Sequence, residues 1–170
     1  MTLTLYIIDG YNVLHALFRG AGKEEIFARR EWLADRLASY AAVRGAKVVL
    51  VFDGHGPQST SSVPIKGAPV EVCFAGGRFT ADTLIARRIA EQPADVAVVV
   101  VSADQEVQRT AARAGVSRMT PQELGADLLG TDSAQALDSA LDSTTMPSRL
   151  EDKVDPETLR KLQEMRNNPQ

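Results

Sequence analysis

Three short apolar runs, each leading into an aspartate, organise the first two-thirds of the chain. Leu3 to Ile8 runs into Asp9, Val48 to Phe52 into Asp53, and Val96 to Val101, through Ser102 and Ala103, into Asp104. Runs this short, rich in Val and Ile and without polar alternation, predict strands buried on both faces. Val116 to Met119 predicts a short last strand. Between these runs the apolar period lengthens. Residues 24–44 space Ile26, Phe27, Leu33, Leu37, Tyr40 and Ala41 mainly three and four apart, which predicts one helix stopped at Gly45. Residues 80–91 put Leu84, Ile85 and Ile89 on one face, and residues 104–114 predict a further helix ended by Gly115. Thr120-Pro121-Gln122-Glu123 joins a capping box to a proline at the first helical position, which marks another helix start. Strands alternating with helices predict an α/β fold, a central and mostly parallel sheet with helices on both faces. Residues 54–69, rich in Gly, Ser, Thr and Pro, predict a mobile loop or a flap over the sheet edge.

Beyond about Gly130 the pattern changes. Thr131 to Ser148 is rich in Ser, Asp, Ala and Thr and has little to bury, which predicts a flexible linker. Asp155-Pro156-Glu157 then looks like a helix start, with Leu159, Leu162 and Met165 forming one narrow apolar stripe. A helix this short is marginal alone and is expected to dock on the body or a partner. The expected organisation is an α/β domain over residues 1–130, a linker over 131–150 and a tail with a short helix over 151–170.

Composition refines this reading. The 170-residue chain is 44% hydrophobic, enough for a core without disulfides or a structural metal. Its single cysteine, Cys73, lies in Val70-Glu71-Val72-Cys73-Phe74, which predicts a buried, reduced thiol and fits a reducing compartment. No apolar run approaches the ~20 residues a bilayer span requires, and the N-terminus reads as a strand rather than a signal peptide. A cytoplasmic protein without membrane attachment is the expectation; its oligomeric state is left open. Net charge is −3, yet residues 1–122 carry 14 Lys+Arg against 12 Asp+Glu, while residues 123–170 carry 5 against 10. If four acids of the first part form a site, the remainder of that part is basic, so charge does not argue against an RNA partner.

In open α/β sheets ligands bind beyond the carboxyl ends of the strands. Asp9, Asp53 and Asp104 fall at such ends, and Asp82 falls at a helix start after Thr80, where the chain re-enters from the same edge. An aspartate after a strand is also a common turn or N-cap residue, so each alone has a structural explanation. Four converging carboxylates, however, repel one another unless a cation neutralises them. Oxygen-only ligands suit Mg²⁺ or Mn²⁺, and such a metal supports phosphodiester hydrolysis. Dinucleotide-binding and P-loop readings fail for want of their glycine patterns. A haloacid-dehalogenase-type phosphatase would want an aspartate where Tyr11 stands, and a receiver domain would want adjacent acids at the end of the first strand.

Ile8-Asp9-Gly10-Tyr11-Asn12-Val13-Leu14, Val51-Phe52-Asp53-Gly54, Phe79-Thr80-Ala81-Asp82-Thr83 and Val101-Ser102-Ala103-Asp104-Gln105-Glu106-Val107 together resemble a YacP-type NYN domain, a family of PIN-like nucleases. The four matches run in family order and cover about residues 3–128; Asp155-Pro156-Glu157-Thr158-Leu159 resembles C-terminal segments of the same family. The resemblance implies a PIN-like three-layer sandwich, an acidic Mg²⁺ or Mn²⁺ site and endoribonuclease activity, with mRNA at the ribosome as a substrate in some members. By position it implies Asp9, Asp82 and Asp104 as metal-binding acids. Asn12 would orient one of them, and Asp53 would complete the site directly or through water. Arg30 and Arg78 are candidate phosphate contacts, with Thr80 and Ser102 as supporting hydroxyls. Tyr11 could stack on a base or belong to the core. His15 reads as a packed histidine, His55 as an exposed loop residue, and Arg87 and Arg88 as solvated helix charges. The rival reading is a non-catalytic RNA- or ribosome-binding module of the same fold.

Overall fold

A strand with helices packed on both sides has no solvent face, so its residues are apolar without alternation. Three such runs form the centre of the sheet in the computed structural model, which describes residues 2–54 and 59–130 together with Arg160. They are β1 (Thr4–Asp9), β2 (Lys47–Asp53) and β5 (Ala97–Val101). The other strands are β3 (Ser61–Pro64), β4 (Val70–Ala75) and β6 (Ser117–Met119). The helices are α1 (Gly10–Leu17), α2 (Lys23–Ala28), α3 (Arg30–Arg44), α4 (Ala81–Ala90), α5 (Gln105–Arg113) and α6 (Pro121–Gly130).

The sheet runs β3-β4-β2-β1-β5-β6, and every pairing is parallel except that of β3 with β4. β2 lies on one side of β1 and β5 on the other, so strand order reverses at β1. That is the switch point at which open α/β sheets leave a crevice. Alternate residues of the strands feed two cores. Ile8, Leu50, Phe52, Phe74 and Val101 meet Val13 and Leu14 of α1, Leu33, Leu37 and Tyr40 of α3, and Leu124 of α6. Ile7, Val49, Val51, Cys73 and Val100 meet Ala81, Leu84 and Ile85 of α4 and Val107 of α5. The result is the expected three-layer sandwich, with Cys73 fully buried as its neighbours predicted. Among the described residues no helix is long and apolar enough to cross a membrane.

The structure departs from the sequence expectation in four places. Helix α1 follows β1 without a loop, because Asp9 acts as its N-cap. The helix expected over residues 24–44 is two helices that break at Arg29 (φ −86, ψ −2). There the Phe27 carbonyl accepts from the Arg30 side chain, Nε at 3.0 Å. Val70–Ala75 is a full parallel strand beside β2. The expected loop over 54–69 contains β3, an antiparallel edge strand on β4 that buries Val63 and leads into buried Ile65. Pro64 is tolerated in it because an edge strand has one unpaired side. The linker, the tail helix apart from Arg160, and His55 lie outside the described residues.

Two glycines carry the close approach of elements at the carboxyl edge. A Cβ on Gly10 would lie 2.3 Å from Cε1 of Phe52, a ring held between Tyr11 and Phe74 at centroid distances of 5.0 and 6.0 Å. A Cβ on Gly54 would lie 2.1 Å from the Ala75 carbonyl oxygen, which also accepts the Gly54 N–H at 2.6 Å. Gly10→Ala is expected to destabilise the fold by about 1–3 kcal/mol through overpacking. Gly54→Ala should cost at least as much, because backbone cannot swing away as a side chain can. The midpoint of urea unfolding, with unchanged slope, reads both.

Candidate active site

Asp9 ends β1 and begins α1, and both roles come from its backbone, extended at φ −74 and ψ 103. Its Oδ1 accepts from the Asn12 backbone N–H at 3.2 Å, satisfying one of the orphan amides of the first helical turn. The side chain of Asn12 does something else. Its Oδ1 accepts from the Ala103 N–H at 2.6 Å and from Ser102 Oγ at 3.3 Å. Ser102 Oγ in turn accepts from the Asp104 N–H at 3.0 Å, and Gln108 Nε2 donates to the Ser102 carbonyl at 2.5 Å. Asn12 therefore latches the end of β1 to the end of β5, and the Asp9 carboxylate is held by the backbone rather than by the expected amide side chain.

Each remaining acid is held by an element that starts or stops at the same edge. Asp104 is the N-cap of α5, its Oδ1 accepting from the N–H groups of Glu106 at 2.7 Å and Val107 at 3.3 Å. Asp53, at the end of β2, reaches across to α4, where its Oδ1 accepts from the Ala81 N–H at 2.9 Å. Asp82 stands one residue further along, in a first turn already capped by Thr80, whose Oγ1 accepts from Thr83 N–H at 3.2 Å. The positive ends of α1, α4 and α5 all abut this edge, which helps the fold tolerate its acids.

The tolerance is incomplete. Burial, opposed by the Asn12 N–H bond and aided by Asp82, Asp53 and Asp104, raises the Asp9 carboxyl from its ordinary 3.8 to about 6. Asp82 is also raised, first by burial and then by Asp104, Asp53 and Glu106. Asp9 and Asp82 thus both feel Asp53 and Asp104, and Glu106 acts on Asp82. Sequence reading passed over Glu106, although its place two residues after a helix-capping aspartate was a signal that it belonged at the same edge.

The donor chemistry fits a hard divalent cation. Asp9, Asp53 and Asp104 accept their backbone bonds on Oδ1, and a carboxylate has a second oxygen for another partner. Among the described residues no three side chains stand as a finished ligand set. Mg²⁺ commonly takes only one or two carboxylates directly and keeps several waters, so spaced carboxylates suit it.

The expected substrate contacts divide. Arg78 and Thr80 are exposed at the edge. Arg30 is only 2% exposed, with Nη1 donating to the Tyr11 hydroxyl at 3.4 Å and its guanidinium over the Phe27 ring, so it is built into the core. Ser102 is fully buried and supports the latch described above. Tyr11 packs on Phe27 and Phe52 as a partly buried core aromatic. His15 is exposed rather than packed. Arg87 pairs with Glu91 on the helix surface, as a solvated charge would, whereas Arg88 is drawn across to Glu71 on β4.

An α/β sandwich with a strand-order switch at β1 and acids at its carboxyl edge is the arrangement of a PIN-like, nuclease-type domain, the class to which the family match assigns it. The family model for the YacP-like NYN domain matches residues 6–167, and the chain belongs to that family. Two crystal structures of Rae1 (YacP) from Bacillus subtilis share the fold. One, of a point mutant, aligns at a TM-score of 0.62 and 20% identity, covering 94% of this chain and 98% of that one. The other aligns at 0.61 and 21%, covering 99% and 97%. No curated protein matches the chain at a significant level.

The raised Asp9 carboxyl has a measurable consequence. Because its folded pKa of about 6 lies above the ordinary 3.8, the native state binds more protons than the unfolded state between those values. Stability therefore falls as pH rises through that window, by an amount on the order of 3 kcal/mol once Asp9 is ionised. Asp9→Asn keeps the shape and can keep the Asn12 bond without the charge. In chelator, it is expected to be more stable than wild type at pH 7.5 by about 1–3 kcal/mol, the gap closing toward pH 4. Thermal or urea unfolding across pH checks this; a gap that does not depend on pH would contradict it.

Proposed function

We propose that this protein is a metal-dependent endoribonuclease that hydrolyses RNA phosphodiester bonds in the cytoplasm, acting on mRNA, including mRNA engaged with a ribosome. The observation that carries the proposal is the electrostatic state of the carboxyl edge. Asp9 and Asp82 are both pushed up by burial and by neighbouring carboxylates, and among the described residues no lysine or arginine is one of the groups that shift either. A cation from solution would supply the countercharge that such a cluster calls for. Asp9, Asp82 and Asp104 would hold Mg²⁺ or Mn²⁺, with Asp53 completing the set directly or through water. When bound, the cation supplies positive charge against the phosphoryl oxygens and eases the ionisation of water.

The protein's own residues do the positioning. The Asn12 backbone amide fixes the Asp9 carboxylate at the end of the central strand. Asp53 fixes the start of α4 and so the place of Asp82. The latch from Asn12 to Ser102 and Ala103 fixes the Asp104 turn against β1. Arg78 and Thr80, exposed within four residues of Asp82, would be the groups to meet a phosphate backbone. Membership of the YacP-like NYN family and the fold shared with Rae1 (YacP) support the reading.

The non-catalytic alternative has one observation in its favour. Asp9, Asp53 and Asp104 each satisfy helix-terminal amides, so folding alone accounts for three of the four acids. Asp82 caps nothing and separates the readings, since Thr80 is the cap of its helix. Purified protein with Mn²⁺ is expected to cut single-stranded RNA, or mRNA on ribosomes. Asp82→Asn should lower that rate on the order of 100-fold or more, at or beyond what loss of an outer-shell partner costs a metal site. Mn²⁺ should also raise the melting temperature of wild type and not of Asp82→Asn. Equal RNA fragment patterns for the two proteins, with ribosomes present, would leave only the binding module.

A further inference from the structure

A single apolar side chain in solvent is ordinary and needs no explanation. Phe79 is distinguished by the way the fold presents it. It is 45% exposed and belongs to neither core cluster. The segment carrying it, Gly76 to Thr80, links the end of β4 to the start of α4 and is pinned at both ends. At Gly76, the N–H donates to Thr60 Oγ1 and the carbonyl accepts from the same hydroxyl, both at 3.3 Å. At Ala81, the N–H is held by Asp53, one of the candidate metal acids. Between these anchors Gly77 takes a positive φ of 66, and the Phe79 N–H closes the turn onto the Gly76 carbonyl at 3.2 Å. An exposed aromatic residue thus stands in the pinned turn that leads into α4, three residues before Asp82 and next to exposed Arg78.

We infer that Phe79 is a substrate-positioning residue, a platform on which one nucleobase of single-stranded RNA stacks next to the acidic edge. The inference places its target by the nuclease reading above. Acids that gather a cation repel the phosphates of an incoming strand until that cation is bound, so part of the grip on RNA has to be uncharged. A base has an apolar face whatever its identity, and an aromatic side chain holds it without sequence preference. Arg78 would meet the adjoining phosphate. A duplex keeps its bases stacked on one another and offers none to the ring, so the arrangement selects single strands.

The test uses the full chain and fluorescein-labelled oligouridylate, with an RNA duplex of equal length as comparison, read by anisotropy in EDTA so that nothing is cut. Phe79→Ala is expected to weaken single-strand binding about 10-fold, within the range of one lost base stack. Duplex binding and melting temperature should stay unchanged. Phe79→Trp should restore the affinity, and its emission should be quenched by the single strand. Where wild type cleaves in Mn²⁺, Phe79→Ala should raise KM by a similar factor with kcat little changed. Wild-type affinity in Phe79→Ala, an equal loss on duplex, a fall in kcat at constant KM, or no single-strand binding by wild type would each overturn the inference. If wild type binds single strands but cuts nothing under any cation, the nuclease reading fails while the anisotropy comparison still decides Phe79.

Discussion

A carboxylate at the end of a buried strand has lost most of its water and must find hydrogen-bond donors in the protein. At the end of β1 those donors come from the helix that begins at the next residue. The first turn of a helix has amides with no partner, and Asp9 has an acceptor with no water. Joining them removes two unsatisfied groups at once and eliminates the loop between strand and helix. Because α1 starts without a loop, Gly10 must pass against Phe52 with no room for a Cβ. Asn12 is thereby brought within reach of the loop after β5. The geometry of the acidic edge follows from this one junction.

The same solution recurs around the edge with different partners. Asp104 caps the helix that follows it, while Asp53 accepts from the first amide of one that begins 28 residues later in the chain. The second case is what makes the edge a unit. Asp53 ties the end of β2 to the start of α4, and the latch from Asn12 ties β1 to β5. Neighbouring strands and the helices after them are thus joined by short polar bonds on the side where the sheet meets solvent. Acids that could have been mobile surface charges are instead held in place by backbone.

Much of this was legible because it follows from period and position. β1, β2 and β5 are unbroken apolar runs, and an aspartate at the end of each must lie at the carboxyl edge of a parallel sheet, whatever the details of packing. The parts that were not legible depend on partners remote in sequence. Helix α1 is only 8 residues long and owes its start to a cap that also reads as a turn. β3 is Ser-Ser-Val-Pro, which has little strand preference of its own and exists because β4 offers it an edge. Arg30 looked like a phosphate contact because a helical arginine usually faces water; here it fills a gap between Tyr11 and Phe27. Ser102 looked like a site hydroxyl and is one residue of the latch. Glu106 could be placed at the edge from its position after Asp104, but its influence on Asp82 acts between α5 and α4, which no spacing within either helix reveals.

Capping and charge repulsion pull in opposite directions at this edge, and the balance between them differs from residue to residue. A backbone bond favours the ionised carboxylate, yet at Asp9 burial and three neighbouring acids outweigh it and leave the carboxyl near 6. Had the cluster served folding alone, asparagine could have supplied nearly the same caps without the repulsion. The cost of the charges is therefore not explained by the bonds they make. It fits the proposed reading, in which a hard cation would supply the countercharge to Asp9 and Asp82. On that reading the edge is a frame in which Asp9, Asp53 and Asp104 are held by backbone amides and the excess negative charge would be met by the cation.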